Sequence, residues 1–340
     1  ADQALLEALD RAMIAQLEPC DVVVAMSGIA MRALDYARRR FGARIFVERS
    51  SVHILAQREI LQRMPGMKPD FADRFRFERE LVCYALADTI TVPAPHVYET
   101  FVSRGFRPEQ LFVNPLGVPL DTFQPTPAPS PSGRPTILMA GSWSLQKGCD
   151  VLVEAWRKLP GTRLLHVGPV ADAALPRDPL FEHVDTVPMA ELPRFYAQAH
   201  VFALASRQDG FGLVLAQALA SGVPVVCSAM TGGGVLKPWT VEPDAVRIVP
   251  VEDPAALAEG LRSALAHLPP EGQLRDLRTG LEAYRKQHAQ LLQYARTTTD
   301  DLRSHFVERQ GSDAYQWALL ISTHEQRHIL QIREIKADPK

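Results

Sequence analysis

The residues most able to carry chemistry in this chain lie between Ser206 and Ser228, in the sequence SRQDGFGLVLAQALASGVPVVCS. The pattern predicts the end of a strand, a glycine turn, a helix beginning near Leu213 and a second buried strand. Gly210 and Gly212 allow the backbone to turn tightly and to approach a ligand, and the helix start directs free N–H groups and a positive dipole end towards it. The segment is therefore either an anion-binding corner or an ordinary strand–turn–helix connection without a ligand.

Polar side chains accompany this turn in two places. Asp209 precedes it, and Gln217 follows two helical turns inside, so both can hydrogen-bond sugar hydroxyls. A cation, Lys147, follows another predicted strand and precedes a glycine. Such a lysine can hold a diphosphate, or it can be a surface lysine before a turn.

The elements that must position these residues are parallel strands covered by helices. Short runs rich in Val and Ile alternate with helical periodicity, which is typical of α/β proteins. We predict strands in the first part of the chain at 22–25, 44–47, 89–92 and 111–114. After a proline-rich stretch at 125–135, we predict strands at 137–140, 163–167, 184–187, 201–205, 223–226 and 246–249. The proline-rich stretch is interpreted as a linker, so residues 1–124 and 136–270 form two Rossmann-like domains that face a cleft.

The corner around Asp209 resembles the nucleotide-sugar signature of the family-4 retaining glycosyltransferases, which have the GT-B fold. In that family a Glu, a Gly-Phe-Gly turn and a second Glu bind the donor, and this chain carries Asp209 and Gln217 at the two Glu positions. The shorter carboxylate and the uncharged amide change the donor contacts. The resemblance implies these donor-binding residues: Gly210, Phe211, Gly212, Leu213 and Gln217.

The sequence GSWSLQKGCDVLVEAW, from Gly141 to Trp156, resembles the family segment in which a strand ends in glycine and an Arg and a Lys grip the diphosphate. Lys147 matches the Lys, whereas Ser142 stands where the Arg is usual, so one cation is missing. The resemblance adds Gly141, Ser142 and Lys147 to the donor site. The TGGG sequence at 231–234 resembles the family loop near the nucleotide, or it is a plain flexible loop. Residues 87–125 resemble the segment that leads out of the first domain.

The resemblance implies retaining transfer of a hexose from a UDP-, GDP- or ADP-hexose to a glycan, lipid or small-molecule acceptor. Asp209 would hold a sugar hydroxyl, Lys147 the diphosphate, and His53 would orient the sugar or acceptor unless it is an ordinary loop histidine. No bound metal is required if Lys147 and backbone N–H groups stabilise the leaving diphosphate. A nucleotide-binding scaffold with reduced catalysis is the alternative.

The first domain is shorter than the resemblance requires. Residues 1–20 predict one amphipathic helix, and the family's opening strand and glycine-rich loop are not visible. We expect that the chain starts inside this domain and that its sheet has an exposed edge or a substitute partner, such as a second copy of the chain.

The segment 271–340 predicts a helical extension. Its residues 291–339 resemble the second half of DinB-like helical bundles, in which histidines hold a metal. His324 and His328 lie one turn apart, so both imidazoles share a helix face and could bind zinc or nickel. The alternative is a pair of surface histidines on a solvated helix. Self-association through these helices is a further expectation.

The composition of the chain bears on which kinds of partner it can bind and where it is located. The chain has 340 residues, 46% of them hydrophobic, and a net charge of −2, which argues against a nucleic-acid-binding protein. The four cysteines are far apart and suit buried thiols in a cytoplasmic protein. No apolar run reaches the roughly 18 residues that span a bilayer. The arginines at 38–40 suit either peripheral membrane contact or a solvated helix end.

Overall fold

The computed structural model of the chain describes residues 2–64, 74–127, 129, 133–240, 242–268, 273, 306–307 and 312–313. It divides into two compact units, with the boundary between Asn114 and Pro115. The predicted domain bounds, 1–124 and 136–270, stay a prediction. Phe123 lies in the second unit, where it is fully buried and packs edge-on against Tyr196, with ring centroids 5.9 Å apart.

The first unit contains one parallel sheet with the strands in sequence order. Its elements are α1 (Asp2–Gln16), β1 (Val22–Met26), α2 (Met31–Phe41), β2 (Arg44–Glu48), α3 (Ile54–Gln62), α4 (Arg74–Leu86), β3 (Thr89–Val92), α5 (Pro95–Val102) and β4 (Leu111–Val113). The four predicted strands are confirmed, and the first helix, predicted over 1–20, is confirmed over Asp2–Gln16. β1 pairs with β2 in register, Val22 beside Arg44, and forms one edge of the sheet.

The second unit contains a six-stranded parallel sheet. Its elements are β5 (Thr136–Ala140), α6 (Cys149–Trp156), β6 (Arg163–Val167), β7 (Phe181–Val184), α7 (Pro193–Tyr196), β8 (Val201–Leu204), α8 (Leu213–Ala220), β9 (Val225–Ser228), α9 (Gly233–Leu236), β10 (Val246–Val249) and α10 (Pro254–Ala266). The strand order is β10-β9-β8-β5-β6-β7, which is the order of Rossmann sheets. The predicted pair of Rossmann-like domains is confirmed.

Three strands of this sheet begin at other residues than predicted: β5 begins one residue early, at Thr136, and β9 and β7 differ by two and three residues. β9 starts at Val225 because Pro224 has no N–H to donate, although its carbonyl accepts a hydrogen bond from Phe202 N–H at 2.8 Å. β7 starts at Phe181, three residues before the predicted Val184, because that ring packs against Trp143 at 5.3 Å between centroids. In both strands a single side chain decides where pairing begins.

The core of the second unit lies between its sheet and the helices α6 and α10. These helices pack against each other, and α10 also packs on β9. The largest side chains of this core are Trp143 and Trp156, which are both buried. No helix in the described part of the chain is long and apolar enough to cross a bilayer. All four cysteines are free thiols, and three of them are buried.

The predicted helical extension at 271–340 lies almost entirely outside the described residues. The exceptions are Gln273 and a short antiparallel pair, Phe306–Val307 with Ser312–Asp313, so the helix prediction is wrong at the four paired positions. Phe306 and Val307 are aromatic and β-branched residues, which favour extended backbone.

Candidate active site

The candidate site lies where the strand order of the second sheet reverses. The chain leaves β5 towards β6 and β7 on one side, and later returns to place β8 on the other side of β5. In open parallel sheets, ligands bind beyond the carboxyl ends of the strands at this point, because the two following loops diverge there. The loop after β5 carries Gly141, Ser142 and Lys147, and the loop after β8 carries Asp209 to Gly212. Both loops predicted from the sequence thus meet at one sheet position.

The two loops touch through an ion pair. Lys147 Nζ donates to Asp209 Oδ2 at 2.5 Å, although the residues are 62 positions apart. The lysine side chain is 27% exposed and the aspartate 12%, so the pair is partly shielded from water. A second bridge lies beside it, in which Gln146 Nε2 donates to Gln208 Oε1 at 2.7 Å. A charged pair therefore stands at the switch point.

Glycines permit the close approach of these loops. Gly148 begins α6 with φ 69°, and a Cβ on it would lie 2.0 Å from the Ala205 carbonyl oxygen. Gly212 begins α8 with φ 72° and provides no side-chain cap for the first turn. The amide groups of Leu213 and Val214 therefore lack a side-chain cap and suit an anionic ligand, whereas Leu215 N–H donates to the Gly212 carbonyl at 2.8 Å.

Arg207 holds the loop after β8 against the loop after β5. Its two terminal nitrogens donate to both carboxylate oxygens of Asp150 at 2.7 and 2.8 Å, and its Nε donates to Glu252 Oε1 at 2.6 Å. It also donates to the Leu145 carbonyl at 2.7 Å. Burial alone would raise the pKa of Asp150, but the hydrogen bond and charge of Arg207 outweigh it and lower that pKa. These hydrogen bonds hold together the two loops that carry Lys147 and Asp209.

The glycine-rich loop after β9 packs onto the Gly-Phe-Gly turn. Gly232 N–H donates to the Phe211 carbonyl at 2.6 Å, and a Cβ on Gly232 would lie 2.6 Å from both that oxygen and the Phe211 ring. Phe211 is itself buried. The buried Phe211 ring therefore packs under the turn. The predicted loop at 231–234 contacts this turn, which belongs to the loop after β8.

The chain is similar to known proteins in sequence and in fold. Residues 134–267 match the family described as "Glycosyl transferases group 1", and they cover the sheet, Lys147 and the Gly-Phe-Gly turn. This part of the chain is therefore similar to the glycosyl transferases group 1 family. Solved structures that match the chain also have the GT-B fold of two Rossmann-like domains. The predicted fold is thereby confirmed.

Three proteins illustrate the similarity. The chain is 34% identical over 247 residues to a D-inositol 3-phosphate glycosyltransferase of Xylanimonas cellulosilytica, covering 64% of this chain and 57% of that protein. It is 22% identical to a sucrose-phosphate synthase of Thermosynechococcus elongatus, with a TM-score of 0.61 over 85% of this chain and 78% of that one. It is 15% identical to HepE of Anabaena in complex with UDP and glucose, with a TM-score of 0.59 over 85% and 81%.

The chain spans 57%, 45% and 64% of the length of three D-inositol 3-phosphate glycosyltransferases that it matches. The match to the glycosyl transferases group 1 family lies wholly in the second unit. The family match therefore concerns the second unit alone.

Asp209, Gln217 and Ser142 are the three positions where this domain differs from the motifs it resembles, and the last two carry no charge where the motif has one. Gln217 is buried, and its Oε1 accepts a hydrogen bond from the Tyr196 hydroxyl at 3.0 Å. Burial raises the pKa of Tyr196 well above its usual range, so the phenol keeps this proton. The Gln217 amide is thus anchored inside the domain, and its predicted contact with ribose stays a prediction. Ser142 is half-buried beside Gly141 and carries no charge.

His53 lies in the first unit, at the start of α3. Its Nδ1 accepts a hydrogen bond from Leu55 N–H at 3.2 Å, and its ring packs between Tyr84 and Phe101, with centroids 5.0 and 4.8 Å away. It is 2% exposed. Burial, together with the charges of Arg104 and Arg49, lowers the pKa of His53 to about 4. These contacts give the imidazole a helix-capping and packing role, and its predicted contact with sugar or acceptor stays a prediction.

The predicted metal ligands His324 and His328 lie outside the described residues, as does most of the DinB-like segment. Among the residues that the structure does describe, no group of three or more His, Cys, Asp and Glu side chains could hold a metal ion.

Sequence reasoning missed two residues that shape the site. Arg207 stands inside the quoted SRQDG motif, and an arginine two positions before Asp209 is the signal that could have identified it. His166 lies in β6, and its Nε2 lies 2.9 Å from the Gly141 carbonyl oxygen. A histidine within an apolar strand gives no signal of this contact in the sequence.

Proposed function

We propose that this chain transfers a hexose from a nucleoside-diphosphate sugar to a hydroxyl acceptor with retention of anomeric configuration. The observation that carries the proposal is the Lys147–Asp209 pair at the switch point of a Rossmann sheet, beside the uncapped start of α8. A cation and free backbone N–H groups suit a diphosphate, and a neighbouring carboxylate suits sugar hydroxyls. The family of residues 134–267 agrees with this chemistry.

The mechanism follows from where charge develops. Breaking the bond between the sugar and the diphosphate leaves negative charge on the departing phosphate, so groups that bind this charge lower the barrier. Lys147 Nζ and the first N–H groups of α8 would bind that phosphate. Asp209 would accept a hydrogen bond from a sugar hydroxyl and keep Lys147 extended towards the ligand. Because these groups supply the positive field, we propose that transfer proceeds without a bound metal.

The donor base and the acceptor belong to the proposal as well. UDP is the first donor to test, because HepE was solved with UDP and glucose; GDP- and ADP-hexoses follow from the sequence. A relative is named for D-inositol 3-phosphate, so this compound is the first small-molecule acceptor, beside glycans and lipids. A cytoplasmic location, contact with a membrane surface and self-association stay predictions.

A calorimetric titration with UDP, GDP and ADP, followed by a transfer assay with the matching hexose donors, tests this function. We expect one diphosphate to bind and its hexose conjugate to be turned over in the presence of a chelator. Nuclear magnetic resonance of the product should give the same anomeric configuration as in the donor. Absence of binding by all three diphosphates would refute the proposal, and an inverted product would refute its stereochemical part.

A nucleotide-binding scaffold with reduced catalysis is the second candidate. The observation that favours it is the hydrogen bond between Tyr196 and Gln217, since an amide engaged inside the domain has one acceptor fewer for a ribose. This candidate predicts diphosphate binding without turnover of any donor. Restoring the acidic side chain with Gln217→Glu would then raise nucleotide affinity, whereas an active transferase with Gln217 unchanged rules the scaffold out.

A further inference from the structure

The buried histidine of β6 has a fixed proton position. His166 is 0% exposed, and its Nε2 lies 2.9 Å from the Gly141 carbonyl oxygen. A carbonyl oxygen can only accept a hydrogen bond, so Nε2 must carry the proton. Burial lowers the pKa of His166, the hydrogen bond to Gly141 opposes this shift, and the charge on His183 adds to it. The ring is therefore neutral, with a bare Nδ1.

The neighbouring strand provides the partner for that bare nitrogen. His183 in β7 is the register partner of His166, and the two Nδ1 atoms lie 2.9 Å apart with the ring planes 12° apart. Because His166 Nδ1 has no proton, His183 Nδ1–H must donate. The two histidines form a directed chain of hydrogen bonds that ends on the Gly141 carbonyl.

This carbonyl determines where the next amide points. Gly141 C=O and Ser142 N–H belong to one trans peptide unit, so they point in opposite directions. His166 fixes the carbonyl on the buried side, and Gly168 allows this approach because a Cβ there would lie 2.2 Å from the same oxygen. Ser142 N–H is thus directed away from His166, and within the described part of the chain it has no hydrogen-bond acceptor. The amide stands beside the strand end that leads to Lys147.

We propose that His166, held in one tautomer by His183, is a positioning residue that turns the Gly141–Ser142 peptide so that its N–H donates to the diphosphate of the donor. This inference rests on the proposed function. It assigns a backbone donor to the place where Ser142 has replaced an arginine side chain. One fixed N–H gives a directional hydrogen bond where a flexible guanidinium would give a full charge, and it requires no rotamer to be ordered on binding.

Two substitutions at His166 distinguish its proposed role in positioning the Gly141–Ser142 peptide from its role in packing the core. His166→Gln keeps a donor, since the Gln Nε2 reaches about as far as the histidine Nε2, whereas His166→Leu removes it. We measure the dissociation constants of UDP, GDP and ADP, and of the monophosphate of whichever base binds. We expect His166→Leu to weaken diphosphate binding about tenfold, as for one lost hydrogen bond to a charged group, and to leave monophosphate binding within about twofold. His166→Gln should restore most of the diphosphate affinity.

The second pair of variants covers the case in which His166→Leu does not fold. His183 is half-buried at the sheet edge. His183→Leu should weaken diphosphate binding about threefold, because His166 is no longer confined to one tautomer, and His183→Asn should restore it through the Asn Nδ2 donor. In wild-type protein, ¹⁵N spectra should give the neutral Nε2–H form of His166.

The outcomes distinguish this inference from the proposed function. A wild-type protein that binds no diphosphate overturns both. If the wild type binds but all four variants keep its ratio of diphosphate to monophosphate affinity, the positioning role is overturned and the function stands. Equal losses for diphosphate and monophosphate in folded variants would also overturn it, because they indicate a purely structural role.

Discussion

Replacing Lys147 with alanine removes the only side-chain cation that the sequence places in the predicted donor loop. Its ammonium group contacts Asp209 at 2.5 Å and is 27% exposed, so it acts in a partly water-excluded position. The same group is proposed to hold the diphosphate. The substitution therefore tests the donor site at the point where both loops meet.

The expected magnitude follows from this environment. A hydrogen bond between charged groups contributes about 1.5–3 kcal/mol, which corresponds to about a 10- to 150-fold increase in the dissociation constant of UDP. Asp209, which is 12% exposed, loses its partner at the same time, so the free energy of unfolding should also fall. Asp209→Asn separates the two effects: Lys147 remains, UDP should bind at least as tightly, and turnover of a UDP-hexose should fall.

Calorimetric titration with UDP at two salt concentrations measures the effect. Lys158→Ala is the matched control. Lys147 precedes α6 and Lys158 follows it; the Lys158 side chain is 43% exposed and its Nζ lies 3.6 Å from Glu154 Oε1. We expect the control to bind UDP as the wild type does, and the salt dependence to be weaker in Lys147→Ala. A folded Lys147→Ala protein that binds UDP within about twofold of the wild type would refute the reasoning.

The remaining predictions concern the frame of the site. Gly148→Ala should lower the free energy of unfolding by about 1–3 kcal/mol because of its positive φ and the close carbonyl, while Gly117→Ala, with open space around it, should leave the thermal melt unchanged. The pKa of His53 is lowered to about 4 in the folded state, against an ordinary value of 6.5. As the pH falls, the imidazole of the unfolded chain is therefore protonated before that of the folded chain. Stability should therefore fall between about pH 6.5 and 4, by on the order of 3 kcal/mol, and melts of His53→Asn should lose less than those of the His267→Asn control. Arg207→Lys should cost about 1 kcal/mol in urea unfolding, since lysine cannot make the paired hydrogen bonds and water screens the exposed carboxylates; an unchanged midpoint would contradict this.

Much of the fold was predictable because its signals are local. Short runs rich in Val and Ile placed the strands of both sheets, and the larger errors in strand starts occur at β7 and β9, beside Phe181 and Pro224. The Gly-Phe-Gly turn and the lysine loop were also recognisable, because their glycines serve short-range backbone geometry. The capping role of His53 was not predictable, since it depends on aromatic residues from α4 and α5.

The sequence by itself determined which residues carry charge, where the glycine turns lie and which strands are buried. Only the tertiary structure decided that β8 returns to the side of β5, so that Lys147 meets Asp209 and His166 meets the Gly141 carbonyl. The physical reason is that strand order and register result from pairings between distant segments, which depend on how all the apolar faces are buried together. A local pattern can specify each loop, whereas the contacts between loops exist only in the assembled sheet.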